Sequence, residues 1–335
     1  MRPIRVLTWH VHGNYLLYLA QANVEFLLPV RPDGRDGYGG RGRTFPFPDR
    51  VREVPAAAVR ELEFDCVLYQ SRGHFDADRH TLLSDRQRRL PRIYLEHDCP
   101  REHPTNTRHW SDDPDGLLVH VTPFNALMWD DGRTPSRIIE HGVLVPESAR
   151  YTGELARGIV VVNNLARRGR LLGADVFGRL RDEVPLDLVG MDAAALGGLG
   201  EVPPMELAAF EARYRFFFNP IRWTSLGLAI LEAMTVGLPV VGLATTELAT
   251  VIENGVSGYV DTDPDNLAAA MRELIADPEK AARLGRAARR RALERFSIER
   301  FARDWERAFA DVTGRAGATR LAVAPALTLA DGGAR

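Results

Sequence analysis

Short apolar runs rich in Val, Ile, Leu and Phe recur along the chain, separated by longer stretches in which apolar residues return at helical spacing. Runs of that kind read as buried parallel strands, and the intervening patterns as helices covering both faces of a sheet. The first half carries six runs: Ile4 to His10, Val24 to Val30, Phe64 to Gln70, Arg92 to Asp98, Leu117 to Thr122 and Arg137 to Val143. The second half carries Gly158 to Asn163, Leu186 to Gly190, Arg215 to Pro220 and Pro239 to Ala244, then a shorter piece at Gly258 to Val260. The alternation predicts an α/β protein with two wound parallel sheets.

Towards the end the period is helical throughout. Asp263 or Pro264 starts a helix through Leu267, Met271 and Leu274, and a second follows Pro278 with Ala281, Leu284, Ala288 and Leu293. Ser297 is expected to cap a third, whose Phe301, Trp305 and Phe309 form one aromatic stripe, read as packing. Asp261-Thr-Asp263 lies between a strand and a helix, where capping is the expected role. The polar stretch Pro146 to Leu155 is the expected linker, giving domains 1–150 and 151–312, with 313–335 as a weakly ordered tail. The Gly-, Arg-, Pro- and Asp-rich stretch from Arg31 to Phe47 is too long for a routine connection, and reads as a mobile flap or a disordered surface insertion.

A length of 335 residues supports two domains. Net charge is −2, so no positive excess exists to hold a phosphate polymer, and nucleic acid is not an expected partner. Cys66 and Cys99 are the only cysteines, too few for a disulfide framework, and no run has the length of a membrane span. A soluble, cytoplasmic protein is expected. All nine histidines lie at or before His141, and Lys280 is the only lysine, so any phosphate-binding cation must be arginine.

The densest chemical signal is Pro220-Ile-Arg-Trp-Thr-Ser-Leu-Gly-Leu-Ala-Ile-Leu-Glu232, read as strand end, loop and helix. A helix opening near Ser225 presents the backbone N–H groups of Ser225, Leu226 and Gly227 at the carboxyl ends of the strands, where a diphosphate is stabilised. Gly227 allows close approach. Glu232 lies among apolar neighbours and needs a partner, which a ribose diol would supply. His10 and His12 have the spacing of two metal ligands, but a barrel-type metal site needs further ligands at strand ends through the whole chain, and no histidine follows His141.

This string resembles the donor-binding segment of the retaining nucleotide-sugar glycosyltransferases of family 4, which have the GT-B fold of two facing Rossmann-like domains with an interdomain cleft. Gly237-Leu-Pro-Val-Val-Gly242, Glu247 ahead of Val251-Ile-Glu-Asn-Gly, and Arg290-Arg-Ala-Leu-Glu-Arg-Phe-Ser are similar to further parts of that family's C-terminal domain. Arg137-Ile-Ile-Glu-His-Gly-Val143 is similar to its interdomain strand. The resemblance puts the ribose ligand at Glu232 and the family's first glutamate, which contacts the donor sugar, at Thr224. It aligns Arg168 with the lysine and Asn164 with the arginine that neutralise the leaving diphosphate, with Arg167 or Arg170 as substitutes for the missing cation. Gly13 takes the place of the glycine loop against the phosphates, and His97 that of the histidine bonded to the donor sugar, its ring oriented by Glu96 or Asp98.

The resemblance implies donor binding in the second domain and acceptor binding in the first, with transfer from an NDP-sugar, most simply UDP-linked, to a glycan, lipid-linked or small-molecule hydroxyl. It implies retention of configuration and no resident cofactor or metal. Because Thr224 and Asn164 replace two donor contacts, the alternative is a catalytically degenerate partner subunit that binds nucleotide-sugar without turning it over. Peripheral membrane contact and oligomeric state stay open.

Overall fold

The structure is a computed structural model and describes residues 2–315. It falls into two compact units, one running from the amino terminus to Gly142 and resuming at Ile298, the other Val143–Ser297.

In the first unit the strands are β1 (Arg5–Thr8), β2 (Glu25–Val30), β3 (Val51–Pro55), β4 (Cys66–Tyr69), β5 (Arg92–Glu96), β6 (Thr107–Arg108), β7 (Leu117–His120), β8 (Trp129–Asp130) and β9 (Ser136–Ile138), with helices α1 (Gly13–Leu19), α2 (Arg79–Thr81) and α3 (Pro123–Met128). Seven of them form one sheet in the order β3-β2-β1-β4-β5-β7-β9, and β6 pairs with β8. All the pairings are parallel. The six apolar runs of the sequence are all present as strands, each shorter than the run that announced it. The seventh strand, β3, was not expected. It is an edge strand in which Val51 and Val54 are buried while Arg52, Glu53 and Pro55 are exposed, so it lacks the apolar run of a central strand.

The 31–47 stretch is a series of turns packed on the carboxyl end of β1. His10 donates its backbone N–H to Gly37 O at 3.1 Å, Tyr38 is buried near Trp9, and the Arg31 guanidinium lies 3.6 Å from the Tyr38 ring centroid. Four glycines at positive φ, Gly34, Gly37, Gly40 and Gly42, make these turns accessible to the backbone.

The second unit contains β10 (Leu155–Val161), β11 (Leu186–Val189), β12 (Tyr214–Asn219), β13 (Val240–Leu243) and β14 (Gly258–Asp261), in the parallel order β11-β10-β12-β13-β14. Around them lie α4 (Leu165–Arg168), α5 (Ala174–Arg181), α6 (Pro204–Glu211), α7 (Leu228–Val236), α8 (Leu248–Val251), α9 (Pro264–Ala276) and α10 (Pro278–Arg295). All five expected strands are found, and β12 is buried at every residue, which is why it reads as an unbroken apolar run. The side chain of Asp263 caps α9 by accepting from Asp265 N, and Asp261 accepts from Asp263 N and Asn266 Nδ2, so the Asp-x-Asp pair is spent on the helix start. From β10 the chain moves outward to β11 and then returns to the other side of β10 as β12. This makes the β10–β12 junction the switch point, where such sheets open a crevice beyond their carboxyl ends.

The last helix, α11 (Ile298–Val312), belongs to the first unit, whereas the sequence reading ran the second domain on to residue 312. Its Phe301, Trp305 and Phe309 are fully buried; Trp305 Nε1 donates to Tyr15 OH at 3.1 Å and Phe309 packs on Phe26. The stripe is therefore packing, as expected. A helical period reveals which face is apolar but not which partner covers it. The division at Gly142 lies close to the expected linker. The tail expected from 313 falls, beyond residue 315, outside the described residues.

Candidate functional site

In the second unit two loops meet at the switch point. The first follows β10 and carries Asn163 to Leu172; the second follows β12 and carries Pro220 to Gly227. The backbone N–H groups of Arg222 and Trp223 both donate to Leu171 O, at 3.1 and 3.2 Å. Arg222 adds a hydrogen bond to Arg170 O at 2.8 Å and a two-pronged ion pair to Asp175 at 2.6 and 2.8 Å. Gly173, at φ +81°, permits the contact, because a Cβ there would stand 1.9 Å from Pro220 O.

These bonds decide which cations remain for a ligand. Arg170, the exposed substitute the sequence suggested, also binds Asp175, at 2.6 Å. Arg222, then Arg170, hold the Asp175 carboxyl below its usual range. Arg168 is half-buried and makes no side-chain bond among the described residues, and Arg167 is exposed. Asn164 sits at φ +56°, a left-handed conformation that Asn tolerates better than longer residues, which gives a backbone reason for Asn in place of the family's Arg. Its N–H is committed to Met191 O at 2.7 Å.

The helix of the second loop starts later than expected. Gly227 is the N-cap and α7 begins at Leu228, so Ser225 and Leu226 precede the helix and its unpaired first-turn donors belong to Leu228, Ala229 and Ile230. The delay follows from the bonds to Leu171 O and from burial of the Leu226 side chain, which fix this loop in a non-helical path. Above Gly227 a Cβ would meet nothing closer than Ile230 Cδ1 at 3.9 Å, so protein packing does not demand a glycine there. Thr224 and Ser225 are half-buried, with no side-chain partner among the described residues.

Glu232 lies on α7 and is buried, at 6% exposure, so it is not a solvated helix residue. Close to it is Glu211, at the end of α6, which sequence reasoning missed. Glu211 is fully buried, and neither of its oxygens has a hydrogen-bond partner among the described residues. Burial first, and the Glu232 charge second, push its pKa well above the ordinary value. Glu247 is also buried and accepts from Arg295 at 3.0 Å, fixing α10 against the start of α8.

In the first unit His97 directly follows β5, with its ring 4.5 Å from that of His12 and 4.6 Å from that of Tyr15. Its Nε2 lies 3.2 Å from Gln70 Oε1. The Gln70 amide nitrogen donates to Thr8 Oγ1 and Trp9 O, which fixes the amide orientation and leaves its oxygen as the acceptor. His97 therefore donates through Nε2 and presents Nδ1 as an acceptor. Packing of the ring, with His12 and His141 nearby, holds its pKa well below 6.5 and keeps it neutral.

The expectation that Glu96 or Asp98 orients this ring is overturned. Glu96 binds His109 at 3.3 Å and Asp98 N at 2.8 Å, while the Asp98 carboxylate binds Arg101. Gln70 is distant in sequence, so no local motif announces it. Gly13 opens α1, and the space its missing side chain leaves is filled by Phe45, whose Cε2 would lie 2.1 Å from a Cβ. Packing thus accounts for this glycine, where a phosphate-facing loop was expected. Cys99 is buried and donates to Asn125 Oδ1 at 3.2 Å. His10 places Nδ1 2.5 Å from Gly40 O, and no three His, Cys, Asp or Glu side chains gather as a metal site among the described residues.

Two Rossmann-like units of this kind define the GT-B fold of glycosyltransferases. Residues 196–291 match the family model described as Glycosyl transferases group 1, a stretch that contains Glu211, Thr224 to Glu232 and Glu247. The chain is 31% identical over 146 residues to D-inositol 3-phosphate glycosyltransferase from Thermobispora bispora, a match covering 41% of this chain and 34% of that one, so it spans about a third of that curated relative. Among solved structures it is similar to sucrose-phosphate synthase from Thermosynechococcus elongatus, with TM-score 0.68 at 15% identity over 93% of this chain and 100% of that one. It is also similar to HepE from Anabaena, solved with UDP and glucose, with TM-score 0.66 at 14% identity over 92% and 100%. Among the described residues no helix is long and apolar enough to cross a membrane.

Proposed function

We propose that the chain is a glycosyltransferase that moves a sugar from a nucleoside-diphosphate donor, UDP-linked in the simplest case, to a hydroxyl acceptor with retention and without a metal. The observation that carries this reading is the joining of the Arg168 loop to the loop leading into α7, with Glu232 buried on that helix. Arg170 and Arg222 are both bonded to Asp175, whereas Arg168 has no side-chain partner among the described residues. Open N–H donors at Leu228, Ala229 and Ile230 and the positive end of the helix suit a diphosphate, and Glu232 suits the ribose diol.

As the anomeric carbon–oxygen bond breaks, negative charge grows on the leaving diphosphate, where fixed donors and Arg168 stabilise it. The acceptor oxygen bonds to the anomeric carbon on the same face, and its proton passes to the diphosphate. Thr224 would offer one hydroxyl to the donor sugar in place of a carboxylate, and His97 would accept from a sugar hydroxyl through Nδ1. The acceptor class is a glycan end, a lipid-linked glycan or a small molecule.

Titration calorimetry with UDP and GDP tests the donor site. Glu232→Ala should weaken nucleotide binding at least tenfold, in line with about 1.5–3 kcal/mol for a hydrogen bond to a charged group. Arg168→Ala should lower kcat for donor cleavage while leaving the thermal midpoint unchanged. Failure of the wild-type chain to bind any nucleoside diphosphate overturns the proposal. Because Thr224 and Asn164 replace two family contacts, a sugar-nucleotide panel is the second arm: binding with neither hydrolysis nor transfer would identify a nucleotide-sugar-binding partner subunit instead.

A further inference from the structure

The first unit carries a concentration of arginine that the transfer reaction does not use. Between residues 79 and 92 there are five arginines, Arg79, Arg86, Arg88, Arg89 and Arg92, against one acid, Asp85, in a chain whose overall charge is −2. Folding gathers four of the five, with His80 and Asp115, around one pocket of about 580 Å³. This volume lies within the usual range for a small-molecule site, on the order of 300–1,000 Å³.

The arginines divide into two held by acids and two that are not. Arg92 is fixed by a two-pronged pair to Asp113, at 2.5 and 2.7 Å, and Arg88 pairs with Asp85. Arg79 has no carboxylate partner among the described residues: its guanidinium lies 4.2 Å from the Phe75 ring centroid and its Nε donates to His80 Nε2 at 3.1 Å. Arg89 is exposed and makes no side-chain bond among the described residues. Like charges lining one pocket repel one another, and Asp115 is the only acid in the lining to offset Arg79 and Arg89. A bound anion would remove that repulsion, and planar guanidinium groups match the paired oxygens of a phosphate.

The position separates this pocket from the proposed transfer chemistry. Arg92 is the first residue of β5, and Leu90 and Pro91 lead into it, so the pocket lies at the amino-terminal edge of the sheet. His97 follows the other end of that strand, roughly 17 Å away for a five-residue strand.

We propose that this pocket is a second anion site, which takes a multiply charged phosphate group such as a phosphomonoester or diphosphate. A free metabolite and a lipid headgroup both present this chemistry. The test uses the full chain saturated with UDP, titrated calorimetrically with inorganic pyrophosphate. Beside it stands flotation with vesicles of equal parts phosphatidylcholine and phosphatidic acid, against phosphatidylcholine alone. Wild type should bind saturably in at least one arm: pyrophosphate binding without flotation assigns a soluble phosphate ligand, and flotation on the anionic vesicles alone assigns a headgroup. Arg79→Ala/Arg89→Ala should weaken the positive arm at least tenfold. Arg89→Ala, which removes no contact within the described fold, should weaken it severalfold and decides the matter if the double variant melts early. No saturable binding in either arm, or unchanged binding in Arg89→Ala, would overturn the site.

Discussion

Glu211 is the residue whose environment departs most from what its side chain prefers. A fully buried carboxyl with no hydrogen-bond partner among the described residues is disfavoured as an anion, and the nearby Glu232 disfavours it further. Its folded pKa lies above the unfolded value of 4.5, so the stability of its protonated form is fully present below that pH and is lost as pH rises through the folded pKa. Glu211→Gln should therefore raise the thermal midpoint at pH 8 by a few degrees, with the gain shrinking towards pH 4.5. A lower midpoint at pH 8 would show that the charged carboxyl is held by a partner. Glu232 and Thr224 could be named as candidates from the sequence because they lie in one string of loop and helix residues, and Arg168 because it follows the first strand of the second unit. Glu211 and Gln70 were not, because their roles come from long-range packing that no local spacing encodes.

At the scale of elements, the turn between α4 and α5 determines whether the two loops of the candidate site stay joined. Gly173 has a positive φ and faces Pro220 O at a distance no side chain can share. Gly173→Ala should cost about 2 kcal/mol or more, from left-handed strain and the displaced β12 loop. It should weaken nucleotide binding as well, a pairing that chemical denaturation and calorimetry would reveal together. Retained affinity at lowered stability would mean that the loop contact does not position the site. The strands of both sheets were readable because central parallel strands are apolar on both faces, and β3 escaped because an edge strand is not. The start of α7 was placed too early because Ser225 is a good cap residue by type, while two hydrogen bonds to Leu171 O hold its loop elsewhere.

Across the whole molecule, the groups that resist ionisation are divided between the units. His74 and His97 lie in the first, and burial holds both below 6.5. A histidine with a depressed folded pKa binds more protons when unfolded, so its stability contribution is present above about pH 6.5 and is lost as pH falls below it. Glu211 acts in the opposite sense in the second unit. Differential scanning calorimetry should resolve this: acidification from pH 7.5 to 5.5 should lower the transition of the first unit while raising or sparing that of the second. A common downward shift of both would refute the division. The two wound sheets were legible from alternating strand and helix patterns, but the route of the chain was not, since nothing in α11 names the surface it covers.

That route has a consequence for biosynthesis. A ribosome emits residues up to Gly142 long before α11, yet Tyr15 packs on Phe301 and accepts from Trp305, and Phe26 packs on Phe309. The first unit is thus finished only after the second, and its residues up to Gly142 must wait without their α11 packing partners while the whole of Val143–Ser297 is made.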